Sequence, residues 1–227
     1  MKKPRFIARQ GRCPSGWLGH IVAHVMTSET ALENERTIEH LDLGAHDDVL
    51  EIGFGPGRTL SLVARQVSHG RLAGIDTSPL MHRLATRRNR PLVAAGRLQL
   101  ELGDSQWLPF DTASFDKIYA VHTLYFWRDL AKQLAEIQRV LRPGGRFVLA
   151  FRPAEDSEAV ARFPDSVYRL LTTGQVVQAM ADLGFVGITP MTQAMGARLI
   201  SWIVAETTTP QSSLSKIPNP IPTFGEI

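Results

Sequence analysis

At 227 residues, with 44% hydrophobic and 21% charged side chains, the chain has the bulk for one α/β domain and its core and is too short for two ordinary ones. A single cysteine, Cys13, excludes an internal disulfide, and no run approaches the roughly 18 to 20 apolar residues of a membrane-spanning helix, so a reducing cytoplasm is the expected setting. The net charge of +3 is mild. Basic residues are scattered apart from an N-terminal group (Lys2, Lys3, Arg5, Arg9, Arg12), which lacks the apolar stretch of a secretory signal, and a second group (Arg83, Arg87, Arg88, Arg90), so nucleic acid is not the expected partner.

Taken in order, residues 1–12 are basic and sparse in apolar side chains and read as an arm. Trp17, Leu18, Ile21, Val22, Val25 and Met26 then recur at helical spacing, which predicts a short amphipathic helix. Ser28 reads as the N-cap of a second helix, with Glu29 favourable in its first turn, running to about residue 43 ahead of Gly44. Residues 1–43 thus form an N-terminal arm and helical cap that builds no part of a sheet and is free to cover a face or the mouth of a site.

From residue 44 strand and helix alternate. Strands are expected at about 48–52, 72–75, 98–102, 117–121 and 146–151, with helices over 58–67, from Pro79 behind the cap Ser78, and over 129–141. Residues 152–171 give no clean element. Thr172 and Gln175 have capping-box spacing for a helix ending near Gly184, and 187–191 with 199–205 read as two closing strands. The expected fold is α/β: a doubly wound, mostly parallel seven-stranded sheet over 44–206 with helices on both faces and an N-terminal helical cap. Residues 207–227, with Pro210, Pro218, Pro220 and Pro222 among Ser and Thr, read as a tail without a fold of its own.

The chain is organised around Val49-Leu50-Glu51-Ile52-Gly53-Phe54-Gly55-Pro56-Gly57-Arg58-Thr59-Leu60, an apolar strand, a tight loop and the start of a helix. Glycine at 53, 55 and 57 lets the backbone take positive φ and approach a ligand closely, while the first amides of the helix remain free to donate. The dinucleotide fingerprint G-x-G-x-x-G is not met, because Arg58 stands where its third glycine belongs. Open α/β sheets bind ligands beyond the C-terminal ends of their strands. Asp76 closes the second strand, where an acceptor-only carboxylate can take both hydroxyls of a ribose; this supports a nucleoside ligand without choosing which. Asp104 closes the third strand with Ser105 and Gln106 behind it and could accept from an exocyclic amine, but in isolation it reads rather as a helix-capping or turn-forming aspartate.

The run Glu51 to Gly57, Glu-x-Gly-x-Gly-x-Gly after a strand, resembles the first motif of the class I S-adenosylmethionine-dependent methyltransferases. Gly103 to Asp116, Gly-Asp-x-x-x-Leu-Pro-Phe-x-x-x-Ser-Phe-Asp, resembles their third and fourth motifs, and Arg139-Val140-Leu141-Arg142-Pro143-Gly144-Gly145 their next. Residues 10–19 resemble the start of a bacterial subset of these enzymes. The resemblance covers residues 44–152 and implies a Rossmann-like methyltransferase fold, with S-adenosyl-L-methionine as cofactor and S-adenosyl-L-homocysteine as product. By this resemblance Glu51 and the backbone of Gly53, Phe54, Gly55 and Gly57 hold the methionine moiety, with Arg58 and Thr59 near its carboxylate. Asp76 takes the ribose, Thr77, Ser78 and Met81 flank the adenine, and Gly103, Asp104, Ser105 and Gln106 read its edge. Val121 and His122 border the sulfonium.

Methyl transfer from a sulfonium is an in-line displacement, so the protein's main task is to hold donor and acceptor collinear, close and dry. A general base matters only where the acceptor must lose a proton. His122 and Tyr125 stand where such a base would act and are the catalytic candidates. Acceptor contacts are expected from Tyr125 and Trp127 in the segment that follows strand four, and from Arg12, Trp17, Arg152 and Tyr168 in the irregular segments 10–19 and 151–171. Adenine-N6 enzymes of this family carry an Asp/Asn-Pro-Pro-aromatic run after strand four, which is missing here. Cytosine-C5 enzymes need a cysteine there, and protein-arginine enzymes need two glutamates, yet none stands between Gly103 and Gln133. A small organic acceptor, methylated at O, N, S or C, remains by elimination, with no metal. The rivals are a nucleic-acid methyltransferase, if the two basic groups form one surface, and a cofactor-binding protein without transfer activity.

Overall fold

The structure is a computed structural model and describes residues 2–209. Seven strands, β1 (Val49–Ile52), β2 (Leu72–Asp76), β3 (Leu98–Leu102), β4 (Phe115–Val121), β5 (Leu141–Phe151), β6 (Val186–Met195) and β7 (Arg198–Glu206), form one sheet in the order β3-β2-β1-β4-β5-β7-β6. The first five are parallel; β7 runs antiparallel to β5 and pairs with β6 as a closing hairpin. The strand order reverses between β1 and β4, the place where an open α/β sheet splays and leaves a crevice.

Alternation along the strands divides the core into two layers. Leu50, Ile52, Ile118, Phe147 and Leu149 meet α7 (Leu130–Val140) and α9 (Thr173–Asp182), which bring Leu134, Ile137, Val176 and Met180. On the other face Val49, Tyr119, Val148 and Trp202 pack under α3 (Ala31–Leu41), α4 (Arg58–Gln66) and α5 (Pro79–Arg88), which the short α6 (Arg90–Ala94) follows, through Ile38, Leu41, Leu60, Val63, Leu80 and Ala85. The polar tips buried with this layer are paired: Tyr119 Oη donates to Glu51 at 2.8 Å and Trp202 Nε1 to Thr37 Oγ1 at 3.1 Å. The Trp202 bond and the burial of Ile38 and Leu41 fix α3 against the sheet.

At the opposite, N-terminal end of the strands, Arg142 donates to Asp48 at 2.7 Å and to Asp116, while Arg71 donates to Asp48 at 3.0 Å. The two guanidinium groups overcome burial and hold the Asp48 carboxyl down at about 2. The Ser-Phe-Asp and Arg-Pro-Gly-Gly runs therefore join β4 to β5 by a charge network remote from the ligand-binding end of the sheet. β5 begins at Leu141, earlier than expected, because this turn pairs with β4 through a register shift between Phe115 and Lys117.

The N-terminal unit differs from its expectation. The arm folds as α1 (Arg5–Arg12), with Ala8 buried. Gly11 permits this docking, since a Cβ there would lie 2.2 Å from Tyr168 Oη. The next helix, α2 (Gly16–Glu29), continues through Ser28, whose hydroxyl donates back to Val25 O at 2.9 Å instead of capping α3. It buries its small residues Gly19 and Ala23, not its large ones. A Cβ at Gly19 would meet Leu80 Cδ2 at 2.7 Å, so glycine lets α2 lie close on α5 and turns Trp17, Ile21 and Val25 outward. Within 152–171 a short helix, α8 (Ser157–Arg162), forms behind the side-chain cap Asp156. The capping box at Thr172 and Gln175 is present. Thr207 is tied to the start of β5, its hydroxyl donating to Arg142 O at 2.6 Å; the rest of the expected tail, 210–227, lies outside the described residues. No helix among the described residues is long and apolar enough to cross a membrane.

Candidate active site

The loop between β1 and α4 turns on three glycines with φ of +77° at Gly53, +50° at Gly55 and +73° at Gly57. Two of them are also required by packing. A Cβ on Gly53 would fall 2.2 Å from Thr123 Cγ2, and one on Gly57 2.8 Å from Ala85 Cβ. At Gly55 a Cβ would meet nothing within 4 Å, so this glycine leaves room beside the backbone rather than closing a contact. Its N–H donates to Asp76 Oδ2 at 2.9 Å, and Asp76 Oδ1 accepts from Ser78 N at 2.8 Å. A carboxylate has about four acceptor sites, so Asp76 retains capacity on the side facing the cavity. Burial holds its carboxyl above the usual aspartate value, against the pull of the Ser78 and Gly55 amides.

The cavity, of about 490 Å³, lies beyond the C-terminal ends of β1 to β4, under the corner between α1 and α2. Its polar lining is Gly53 and Gly55, Asp76 and Thr77, and Gly103, Asp104 and Ser105. Its apolar lining is Met26, Met81, Phe126 and Trp127, and Arg12 and Arg128 also line it. Neither arginine has an acidic partner within 4 Å among the described residues. Two lining residues hold buried polar atoms without a protein partner, Thr123 Oγ1 and Gln133 Oε1. Gln133 is 2% exposed and uses only its amide nitrogen, toward Ser105 Oγ at 3.2 Å. Buried acceptors are left empty at a cost unless a ligand or water fills them, so these atoms mark places where a ligand donor fits.

His122 follows β4 with φ +57°, its N–H donating to Ala150 O at 2.8 Å. This sharp turn aims the ring between β4 and α3. Tyr125 Oη accepts from Arg152 N at 2.6 Å, so its own proton goes to His122 Nδ1, 2.9 Å away, and Nε2–H donates to Glu33 Oε2 at 2.5 Å. Glu33 is fully buried. Burial alone would raise its carboxyl, but the His122 bond and the Arg198 and Arg152 charges outweigh that and bring it below the ordinary value. Arg198 Nη1 lies 3.0 Å from Oε1, though its hydrogen bonds go to Glu29 O. Both ring nitrogens of His122 are therefore engaged by the protein, which leaves no lone pair facing an acceptor.

Of the residues the sequence singles out, Arg12, Gly53, Gly55, Asp76, Thr77, Met81, Gly103, Asp104, Ser105, Val121, His122 and Trp127 come together around the cavity. The others do not. Glu51 is turned to its cross-strand neighbour Tyr119 on the α3–α5 face of the sheet, where burial raises its carboxyl well above the usual range. Phe54 and Thr59 are buried in packing, Gly57 closes the loop against α5, and Gln106 forms the turn on Asp104 Oδ1. Arg58 reaches Thr27 O at 3.1 Å, bracing the N-terminal unit, and Ser78 caps α5 while donating to Pro14 O at 2.6 Å. Trp17 faces solvent. Tyr125 is buried behind His122, and burial lifts its hydroxyl far above the usual range. Arg152 is locked to Asp156 at 2.7 Å and Glu158 at 2.8 Å. Tyr168 stacks on Phe163, outside the cavity lining, and burial pushes its hydroxyl up to about 12. Sequence reasoning missed Glu33, Thr123, Gln133 and Arg128. Only Glu33 left a signal: it shares the buried helical stripe of Thr37 and Leu41.

A family profile described as "Methyltransferase domain" matches residues 50–149. The chain is 32% identical over 135 residues to the uncharacterized methyltransferase YdaC of Bacillus subtilis, covering 60% of this chain and 72% of that one. It is 33% identical over 116 residues to methyltransferase GfsG of Streptomyces halstedii, covering 51% of this chain and 41% of that one. Among solved structures it is similar to geranyl diphosphate C-methyltransferase of Streptomyces coelicolor, solved with Mg2+, geranyl diphosphate and S-adenosyl-L-homocysteine, at a TM-score of 0.65 and 18% identity over 78% of this chain and 79% of that one. A SAM dependent methyltransferase from Aquifex aeolicus gives 0.63 and 18% over 77% and 89%. A glycine loop, a strand-end acid and a strand order of this kind, in a chain that spans most of a methyltransferase relative at 32% identity, make it a member of the class I S-adenosylmethionine-dependent methyltransferases.

Proposed function

We propose that the chain transfers a methyl group from S-adenosylmethionine to a small organic acceptor held against the apolar lining of the cavity. The observation that carries this reading is the Gly55–Asp76 cradle: an open space beside a glycine, and a carboxylate with acceptor capacity left, facing the same cavity as Met26, Phe126 and Trp127. The residues present fit the cofactor. Asp76 would take the ribose hydroxyls, Asp104, Ser105 and the unpartnered Gln133 Oε1 the adenine edge, and the Gly53 and Gly55 backbone the methionine end. Thr77 and Met81 would flank the base, with Val121, His122 and Thr123 beneath the sulfonium.

When bound, S-adenosylmethionine supplies a methyl carbon that an acceptor lone pair displaces in line from sulfur. The chain's own contribution is placement and dryness. Phe126, Trp127 and Met26 orient the acceptor and exclude water, and Arg12 and Arg128 suit one bearing a carboxylate or phosphate. His122, fixed by Glu33 and Tyr125, serves as a rigid wall and not as a base, which favours acceptors that need not lose a proton to the protein. The test is incubation with methyl-labelled S-adenosylmethionine and a bacterial extract, wild type against Asp76→Ala. Label entering the small-molecule fraction only with wild type supports the reading, and label entering RNA instead overturns it.

A further inference from the structure

The outer face of α2 reads Trp17, His20, Ile21, His24, Val25 and Ser28. From Gly16 to Ser28 the helix contains no Asp, Glu, Lys or Arg. Trp17 is 75% exposed and Ile21 50%, and on the adjoining α1 Phe6 is 64% exposed. Single exposed apolar residues are ordinary, but a large aromatic and two aliphatics at i, i+4 and i+8 on an uncharged helix face are not. Beside them, α1 presents Arg5, Arg9 and Arg12, one stripe at i, i+4 and i+7 and all exposed. None has an acidic partner within 4 Å among the described residues. The inner faces of both helices are held down, α1 by Ala8 and Gly11 and α2 by Gly19 and Ala23, so both outer faces turn to solvent.

We propose that the α1–α2 corner is a docking surface for an anionic lipid membrane, with Trp17, Ile21 and Phe6 entering the headgroup boundary and Arg5, Arg9 and Arg12 contacting its charge. An apolar helix face flanked by arginines and carrying tryptophan is the composition that lies in a bilayer interface. Charge decides against a second copy of the chain as occupant, because a two-fold contact would set the unpaired arginines against their own counterparts. Gly11, Arg12, Cys13 and Pro14 of the same corner line the cavity, so docking sets the mouth of the site at the membrane. The surface does not depend on which molecule is methylated.

The test uses the full chain and sedimentation with vesicles of phosphatidylglycerol and phosphatidylcholine, or of phosphatidylcholine alone. Binding is expected to the anionic vesicles, to weaken at least tenfold on neutral ones, and to fall with added salt. Trp17→Glu with Ile21→Glu, and separately Arg5→Glu with Arg9→Glu, should each lower it at least tenfold, with circular dichroism melting unchanged because all four side chains are exposed. The proposal is overturned if wild type does not sediment with anionic vesicles, if neutral vesicles bind equally, or if neither double variant weakens binding. It is overturned equally if light scattering finds a dimer that Trp17→Glu with Ile21→Glu disperses, or if a single-stranded RNA is retained where vesicles are not.

Discussion

Glu33 Oε2 lies 2.5 Å from His122 Nε2, so a helix that precedes the sheet supplies a buried carboxylate to the residue just past its fourth strand. The N-terminal unit is thereby part of the site's frame as well as its cover. Together with Tyr125 Oη on Nδ1, this bond fixes the tautomer and the plane of a ring that lines the cavity.

Removing the carboxylate should therefore be felt first as stability. Glu33→Ala leaves the Nε2–H of His122 buried without an acceptor, a loss of about 1–3 kcal/mol, readable by urea unfolding; Glu33→Gln keeps an acceptor oxygen and should lose less. The pH dependence follows from the depressed Glu33 value. A group whose folded value lies below its unfolded one contributes stability above the unfolded value, here 4.5, and loses it as pH falls through the folded one. The stability gap between wild type and Glu33→Gln should thus be constant near neutrality and shrink below pH 4.5.

Asp76 has the opposite shift and a different readout. Its carboxyl is raised by burial, and ribose hydroxyls donating to it would favour the ionised form, so binding at low pH must release a proton. The affinity for S-adenosyl-L-homocysteine should be flat near neutrality and fall as pH drops through the raised value, by calorimetric titration. Hydrogen bonds to a charged group contribute about 1.5–3 kcal/mol, so Asp76→Asn should bind about ten- to a hundredfold more weakly at pH 7, with the pH dependence gone.

What the sequence made legible follows from how each signal is written. Strand-end residues such as Gly55, Asp76 and Asp104 sit in contiguous runs whose order fixes their place at the C-terminal edge of the sheet, so motif and geometry coincide. Periodicity located the α2 helix, but the helix is apolar nearly all round and not the amphipathic one expected, and its buried face is set by close approach at Gly19 rather than by burial of Trp17. Arg152 and Tyr168 have the chemistry of pocket side chains, and only tertiary structure reveals their satisfied partners. Gln133 and Thr123 are ordinary residues in sequence, and their unfilled acceptors exist only once α7 and β4 are packed.

The Arg142 network makes a prediction remote from the site. Arg142→Met removes one of the two guanidiniums that hold Asp48 down at about 2, so the Asp48 value should move up toward 3.8. Stability that wild type keeps until the pH falls from 3.8 toward 2 should then be lost at higher pH in the variant, followed by acid unfolding. Binding of S-adenosyl-L-homocysteine at neutral pH should be unchanged, because neither residue lines the cavity.

Gln133 separates a ligand contact from a structural one by the sign of two measurements. In the free protein its Oε1 is buried without a partner, so replacing the amide by an apolar side chain of similar size removes an unmet acceptor along with one 3.2 Å bond to Ser105. Relief of the unmet acceptor, about 1–3 kcal/mol, offsets the similar cost of leaving the buried Ser105 hydroxyl without its donor, and Gln133→Leu should keep the free protein's Tm. If Oε1 accepts from the adenine amine, the same variant loses a hydrogen bond that forms only on binding, and a loss of about 1.4 kcal/mol is tenfold in Kd. Thermal unfolding with and without S-adenosyl-L-homocysteine reads both quantities: the unliganded midpoint should stand still while the ligand-induced rise shrinks. A residue serving packing alone would lower the midpoint and leave the rise intact.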